Sequence, residues 1–165
     1  MKQVLVNENV CIGCKLCEVY CRLKHSKSGD LVKAHRRETP RPISRVRVDE
    51  SGIVSLSVRC QQCTDAACLR ACLTGALSRD PETGIITVDE KRCIGCGTCS
   101  LVCPLGVPKL DAVAKKMVKC DLCQEDEIPA CVANCPNEAL IFVEADELPA
   151  EENPSELSTS ESTAK

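Results

Sequence analysis

Aromatic residues are almost absent from this chain of 165 residues. Tyr20 and Phe142 are the only two, and there is no tryptophan. Aromatic side chains normally supply much of the buried area of a core, so a core of that kind is excluded. The length suits one domain or two small ones. Because the aliphatic residues lie in short runs, the sequence predicts that something other than ordinary apolar packing contributes to the interior.

Four other absences restrict the class of protein to which this chain can belong. No apolar run reaches about 18 residues, so we expect no membrane span. Residues 1–10 contain no apolar signal stretch, which favours a cytoplasmic location. A G-x-G-x-x-G fingerprint for a nicotinamide or flavin is missing, and basic residues are not interleaved with stacking aromatics. We therefore expect no nucleic-acid partner and no substrate chemistry of the chain's own, so it is not predicted to be an enzyme.

Cysteine is the residue in excess, with sixteen copies in four groups of four. Groups one and three read C-x2-C-x2-C-x3-C, the run that binds iron–sulfur clusters in bacterial ferredoxins. Groups two and four keep the beginning and the end of that run but lengthen one gap. The members are Cys11, Cys14, Cys17 and Cys21 (group one); Cys60, Cys63, Cys68 and Cys72 (group two); Cys93, Cys96, Cys99 and Cys103 (group three); Cys120, Cys123, Cys131 and Cys135 (group four).

These spacings suit a [4Fe–4S] cube, which needs one thiolate for each iron at four separated corners. Gly13 and Gly95 would let the chain come close to the cluster, and Ile12 and Ile94 are expected to pack on it and exclude water. In two-cluster ferredoxins the fourth cysteine of the run binds the neighbouring cluster. The sequence predicts four [4Fe–4S] clusters with all sixteen cysteines as iron ligands, and folding that is coupled to cluster assembly.

Two alternatives come from other functional classes. Structural zinc sites also use C-x2-C pairs, so a zinc-binding interaction protein is the first, although three cysteines within seven residues crowd one tetrahedral ion. An iron–sulfur redox sensor is the second, but no output domain is visible. His25 and His35 lie outside any ligand spacing and are expected at the surface.

Turn residues and short apolar runs predict a small α+β protein. The turns are expected at 49–52 and 81–84, and helices at 66–73 and 129–135 because C-x3-C places two cysteines on one helical face. Predicted strands cover 3–6, 44–48, 53–58, 75–80, 85–88 and 139–143.

Charge is spread unevenly along the chain. Residues 144–165 carry a net charge of −6, whereas the whole chain carries −3, so the rest of the chain is net positive. We expect residues 146–165 to be a disordered acidic tail. The basic stretch 22–47 has two interpretations. It is either a solvated loop that offsets the negative charge of the clusters, which we favour, or a docking surface for an acidic partner.

The cysteine groups and their surroundings resemble the 16-cysteine ferredoxin subunits of bacterial and archaeal oxidoreductases. The resemblance spans residues 1–143 and is strongest in the sequences C-I-G-C-K-L-C-E-V-Y-C at 11–21, C-Q-Q-C-T-D-A-A-C-L-R-A-C at 60–72, R-D-P-E-T-G-I-I-T-V-D at 79–89, K-C-D-L-C at 119–123 and P-A-C-V-A-N-C-P at 129–136. That family serves dimethyl sulfoxide reductase, formate dehydrogenase and formate-linked hydrogenases. The stretch H-S-K-S-G-D-L at 25–31 is closer to the subunits associated with carbon monoxide dehydrogenase and tungsten aldehyde oxidoreductase.

The resemblance implies a nested pairing of the groups, first with fourth and second with third. The four implied ligand sets are Cys11, Cys14, Cys17 and Cys135; Cys120, Cys123, Cys131 and Cys21; Cys60, Cys63, Cys68 and Cys103; Cys93, Cys96, Cys99 and Cys72. It also implies two ferredoxin-like dicluster modules, an outer one (1–25 and 111–145) and an inner one (48–110), joined by a basic loop (26–47). Spacing alone leaves a first-with-second pairing open.

The resemblance further implies the partners. We expect one-electron transfer between a larger redox subunit and a second partner. The first would be a tungsten aldehyde oxidoreductase, a carbon monoxide dehydrogenase or a molybdopterin-type enzyme, and the second a flavoprotein or a ferredoxin-type protein. Stacking of several copies into a longer wire is an open expectation.

Overall fold

The first strand of the chain pairs with the last. The computed structural model describes residues 2–144, and within this range β1 (Lys2–Val6) runs antiparallel to β8 (Leu140–Glu144), with Val4 opposite Phe142. The sequence-based expectation that strands 3–6 and 139–143 could pair is confirmed. Because these strands flank groups one and four, their pairing brings the two ends of the described chain together.

Three further antiparallel hairpins complete the strands of this range. Each is a separate two-stranded sheet, so the fold contains no extended sheet among residues 2–144. The hairpins are β2 (Val46–Ser51) with β3 (Val54–Arg59), β4 (Leu77–Arg79) with β5 (Ile86–Val88), and β6 (Lys109–Asp111) with β7 (Lys116–Val118).

The helices are short and lie next to cysteines, with one exception. They are α1 (Leu16–Lys24), α2 (Leu31–Arg36), α3 (Ala67–Arg70), α4 (Thr98–Leu101) and α5 (Ala130–Ala133). The exception is α2, which lies in the segment that the sequence predicts as a loop. Asp30 begins it by accepting a hydrogen bond from the backbone N–H of Lys33 at 2.8 Å, as an N-cap residue does.

The predicted hairpins are confirmed, with shifted ends. The turn of the first lies at Gly52 and Ile53 rather than over 49–52, because β2 continues to Ser51. The turn at 81–84 is held by Asp80, whose carboxylate accepts backbone hydrogen bonds from Glu82 and Thr83, each at 2.8 Å. The β6–β7 hairpin is absent from the predicted strands, because residues 112–115 between its two short strands contain no glycine or proline.

The buried core of residues 2–144 has two parts, and cysteines belong to both. The first combines cysteines of groups one and four with aliphatic residues of β1, β2 and β8; its buried members are Val4, Cys17, Cys21, Val46, Ile85, Leu122, Cys131 and Leu140. The second combines a cysteine-rich loop with the β4–β5 hairpin; its buried members are Ala66, Ala76, Leu77, Ile86, Cys93, Cys99 and Met117.

Helix packing follows the same division. α1 packs against α5, and α3 packs against α4. In the described range no helix is long and apolar enough to cross a bilayer. The acidic tail predicted for 146–165 lies outside the described residues.

Candidate metal centres

The last two cysteines of each group were expected on one helical face. This is confirmed in group one, where α1 carries both Cys17 and Cys21 and both are buried. In the other three groups only the third cysteine lies in the helix, and the fourth follows its end. In groups two and four the backbone still turns tightly up to the fourth cysteine, since the N–H groups of Cys72 and Cys135 donate to the carbonyl oxygens of Leu69 and Val132.

Gly13 and Gly95 are required for packing within the protein, and their predicted role of bringing the chain close to a cluster stays a prediction. Both have a positive φ (+66° and +69°), which favours glycine. A Cβ on Gly95 would lie 2.4 Å from the carbonyl oxygen of Lys115, and one on Gly13 would lie 2.7 Å from Oγ of Ser55. Each cysteine loop is therefore pressed against a neighbouring hairpin, and glycine makes that contact possible.

Four cysteines from two different groups line one cavity. Cys21 of group one faces Cys120, Cys123 and Cys131 of group four, together with the side chain of Arg59. Cys21 interacts electrostatically with each of those three thiols. The fourth cysteine of group one thus lies among the first three cysteines of group four.

A second cavity, of about 180 Å³, has the same kind of lining. Cys60, Cys63 and Cys68 of group two face Cys103 of group three. Ile86, Val107 and Lys119 are also part of its wall. Here the fourth cysteine of group three lies among the first three cysteines of group two.

The remaining thiols are brought together less completely. Cys72 of group two interacts electrostatically with Cys96, and Cys99 interacts with Cys93 and Cys96. Near the other end of the chain, Cys14 interacts with Cys17. Cys135 packs against the core that contains Cys17, and Cys11 is half-buried in the same loop as Cys14.

Burial makes the thiolate form costly for several of these cysteines. It raises the pKa of Cys131 to about 12 and of Cys99 to about 11, and it raises the pKa of Cys120 as well. All sixteen thiols are free of disulfides. A set of four thiols around one cavity is the donor chemistry that iron in a [4Fe–4S] cluster uses, and bound iron supplies the positive charge that favours thiolates. The residues therefore fit such a cluster.

Hydrogen bonds from the protein reach several of the sulfurs. The backbone N–H of Arg45 donates to Sγ of Cys21 at 3.2 Å, and that of Met117 donates to Sγ of Cys93 at 3.3 Å. The Thr98 hydroxyl lies 3.3 Å from Sγ of Cys96, and this bond lowers the pKa of Cys96. Such bonds stabilise sulfur-borne negative charge and are one means by which a protein sets cluster potential.

His25 is more buried than the sequence predicts. Its side chain is only 16% exposed and lies 3.8 Å from Asp121, and one ligand atom each of His25, Asp121 and Cys123 lie within 4.8 Å of one another. Asp121 is also paired with the guanidinium of Arg45. Burial, reinforced by Arg45, lowers the pKa of His25, so its neutral form is favoured.

The isoleucines of the cysteine loops face outward. The side chains of Ile12 and Ile94 are 64% and 62% exposed, so the expectation that they exclude water by packing inward is wrong. Cys14 and Cys96, which lie two residues further along each loop, are themselves exposed, as is Cys63.

Two buried cations were missed from the sequence. Arg59 is 1% exposed and Lys119 is 4% exposed. Each immediately precedes the first cysteine of a group, Cys60 and Cys120 respectively. Arg92 has the same position before Cys93 but is exposed, so this position alone could not have predicted the burial of Arg59 and Lys119.

Comparison with known proteins agrees with this chemistry. The family described as "4Fe-4S dicluster domain" matches residues 52–145. The chain is 35% identical to the electron transport protein HydN of Escherichia coli (strain K12), over 88% of this chain and 89% of that protein. It is 40% identical to the polyferredoxin-like subunit of the aliphatic sulfonate oxidoreductase of Pyrococcus furiosus, over 80% and 70%. It is 36% identical to the thiosulfate reductase electron transfer subunit PhsB of Salmonella typhi, over 87% and 76%.

Proposed function

Because the chain belongs to the 4Fe-4S dicluster-domain family of electron-transfer proteins, we propose that it is a wire of four clusters between the catalytic subunit of a larger oxidoreductase and a second redox partner. It is an iron–sulfur protein with the cysteines for four [4Fe–4S] clusters. The observation that carries the proposal is the meeting of four cysteines from two different groups around each of two cavities.

The proposed ligand sets cross between the groups. We name them site I, site II, site III and site IV. The two cavities support sites II and III directly, and the electrostatic contact of Cys72 with Cys96 supports site IV. Site I consists of Cys11, Cys14, Cys17 and Cys135; site II of Cys21, Cys120, Cys123 and Cys131; site III of Cys60, Cys63, Cys68 and Cys103; site IV of Cys72, Cys93, Cys96 and Cys99.

Contacts between the sites support a linear order. Cys17 of site I interacts electrostatically with Cys131 of site II. Cys60 of site III interacts with Cys120 of site II, and Cys68 of site III interacts with Cys99 of site IV. Each site thus has a thiol close to a thiol of the next, and the order I–II–III–IV follows. We assign sites I and II to an outer module, closed by β1 and β8, and sites III and IV to an inner module.

When bound, each cluster accepts and releases one electron. The chain's own residues hold, shield and orient these groups. The aliphatic side chains of Val4, Val46 and Leu140 are buried beside site II, which keeps water away and lowers the local dielectric constant. Backbone N–H groups of Arg45 and Met117 donate to cysteine sulfurs in sites II and IV.

The two ends of the order are accessible to partners. Cys14 of site I and Cys96 of site IV are exposed, and each lies beside an exposed isoleucine. We propose that a molybdopterin-type, tungsten aldehyde oxidoreductase or carbon monoxide dehydrogenase subunit docks at one end, and that a flavoprotein or ferredoxin-type partner docks at the other. The polyferredoxin-like subunit and PhsB are named as parts of oxidoreductases, which supports a subunit role. We place the complex in the cytoplasm, where thiols remain reduced.

The function is tested on protein prepared without oxygen. We expect a brown protein with about sixteen irons per chain and reversible one-electron reduction observed by electron paramagnetic resonance. A colourless, zinc-loaded and air-stable protein would establish the zinc alternative instead. One exchangeable cluster beside three inert ones would favour a redox sensor. Anaerobic affinity purification then identifies the partner subunits.

Pairs of substitutions test the crossed ligand sets. If Cys103 belongs to site III, Cys60→Ser with Cys103→Ser removes a single cluster and leaves about twelve irons, whereas Cys93→Ser with Cys103→Ser removes two and leaves about eight. Cys21→Ser gives the same contrast when it is combined with Cys120→Ser or with Cys14→Ser. The iron content of each variant is measured on protein prepared without oxygen. The reverse pattern would establish that each group holds its own cluster.

A further inference from the structure

Two positive charges are buried in the middle of the molecule without a carboxylate to balance them. Arg59 is 1% exposed and Lys119 is 4% exposed, and within residues 2–144 neither forms a salt bridge with an acidic side chain. A buried charge is strongly disfavoured unless an opposite charge or good hydrogen bonds compensate it. Neutral oxygens accept hydrogen bonds from both cations, but none of these acceptors carries a negative charge, so a balancing charge has to come from another group.

The surroundings of Arg59 contain thiols of three cysteine groups. Its guanidinium interacts electrostatically with Cys131, Cys120, Cys17 and Cys60, and it lines the cavity of site II. It donates hydrogen bonds to the backbone carbonyl oxygens of Val4 and, at 3.5 Å, of Ser57.

One nitrogen of the Arg59 side chain lacks a hydrogen-bond acceptor within residues 2–144. Its Nε is buried and has no acceptor among the described residues. Buried donors normally have a partner. A cluster or cysteine sulfur in the adjoining cavity is an acceptor of the required charge.

Lys119 lies on the other side of the same junction. Its ammonium donates to the carbonyl oxygen of Cys120 at 2.9 Å, to Oε1 of Gln62 at 3.3 Å, and to the carbonyl oxygen of Ile86. It lines the cavity of site III and interacts electrostatically with Cys68.

Gln62 fixes this arrangement, since its Nε2 donates to the carbonyl oxygen of Cys120 at 2.9 Å. Lys119 is therefore attached by hydrogen bonds to a ligand of site II while it faces site III. A charge so held cannot move away when the neighbouring sites change their own charge.

We propose that Arg59 and Lys119 form a fixed cationic bridge that raises the reduction potentials of the two middle clusters, those of sites II and III. The inference rests on the proposed function. A [4Fe–4S] cluster with four thiolates carries a charge of about −2 when oxidised and gains another negative charge on reduction. A nearby cation stabilises the reduced form more than the oxidised form.

Burial decides the size of this effect. Charges in a medium of low dielectric constant interact more strongly than in water, and salt screens them less. The two cations attract an electron on site II or on site III, and this attraction offsets part of the repulsion between electrons on the two sites. Electron occupancy at the junction between the modules is therefore favoured.

The test compares neutral and charge-conserving substitutions at both positions. Arg59→Gln and Lys119→Gln remove the charges, whereas Arg59→Lys and Lys119→Arg keep them. Lys91→Gln, in an exposed loop, is the control for the loss of any cation. Cluster potentials are measured by anaerobic electrochemical titration with detection by electron paramagnetic resonance, and iron content is measured in parallel.

We expect each neutral variant to make reduction of at least one cluster tenfold less favourable, which is about 59 mV for a one-electron couple. The shift persists at high salt. The charge-conserving variants and Lys91→Gln keep the original potentials within a twofold change of the reduction equilibrium.

Each outcome decides the proposal. Neutral variants that retain about sixteen irons and unchanged potentials would overturn it. If the neutral variants lose iron while Arg59→Lys and Lys119→Arg stay fully loaded, the charges are needed by the clusters and the proposal stands. Loss of iron in all four variants would assign the two residues to packing and overturn it. A wild-type protein without four clusters would instead refute the proposed function itself, so the two failures are distinguishable.

Discussion

The glycines of the cysteine loops are packed closely against the neighbouring hairpins. Gly95 lies against the backbone of the β6–β7 hairpin, and Gly13 lies against Ser55 of β3. The adjacent isoleucines point outward. Glycine in the C-I-G-C motif is thus explained by packing between elements, and isoleucine is left available to a partner. The motif could predict that glycine is needed there, but not which atoms press on it.

Replacement of Gly95 tests this packing. Gly95→Ala introduces a left-handed alanine, which costs about 1–2 kcal/mol, and a Cβ against the carbonyl oxygen of Lys115, where overpacking adds about 1–3 kcal/mol. Gly97→Ala is the matched control, because Gly97 also has a positive φ (+78°) but nothing within 4 Å of its Cβ position. We expect Gly95→Ala to lower the melting temperature of the loaded protein clearly more than Gly97→Ala. Equal losses would contradict a packing role.

Among the helices and strands, the sequence predicts some short elements better than others. The difference depends on whether nearby residues mark where an element begins or ends. The β4–β5 hairpin was predictable because Asp80, Pro81 and Gly84 mark its turn. The β6–β7 hairpin has strands of the same length but was missed, because residues 112–115 between them contain no glycine or proline to mark a turn. Helix α2 was missed although Asp30 is a good N-cap residue, since the many basic residues of that segment favoured a loop interpretation.

The N-cap of α2 provides a test at this scale. Asp30→Ala removes the acceptor for the Lys33 N–H and should cost about 1 kcal/mol. We expect faster amide hydrogen exchange over residues 33–37 with no loss of iron, because α2 carries no cysteine. Asp30→Asn keeps an acceptor oxygen and should retain most of the protection. Unchanged exchange in Asp30→Ala would show that α2 is held by its packing on α1 alone.

At the scale of the whole molecule, the described residues 2–144 form two small half-cores instead of one large core. Each contains cysteines alongside aliphatic residues, and α1 packs on α5 as α3 packs on α4. Half-cores of this size bury little apolar surface, and several of their buried groups are thiols whose ionised form needs a positive partner. We therefore expect the fold to depend on the metal centres for much of its stability, as other small metal-binding domains do.

Removal of iron tests this dependence. Stripping the metal with a chelator under reducing, anaerobic conditions should abolish cooperative thermal unfolding and greatly reduce the β-hairpin signal in circular dichroism. Adding iron and sulfide back should restore both. The contrary result is an iron-free chain that still melts in one sharp transition, which would mean that the aliphatic residues suffice.

The sequence by itself determined the chemistry: four groups of cysteines at iron–sulfur spacing, two marked hairpin turns and strands at both ends. These are local features, fixed by residues a few positions apart. Cysteine spacing left the pairing of the groups open, and only the family resemblance implied that Cys21 goes with group four and Cys103 with group two. The tertiary structure places Cys21 and Cys103 beside those groups, and it alone decided that Arg59 and Lys119 are buried there. Such neighbours are separated by tens of residues along the chain, so their meeting depends on how β1 pairs with β8 and how the helices pack, which no local pattern encodes.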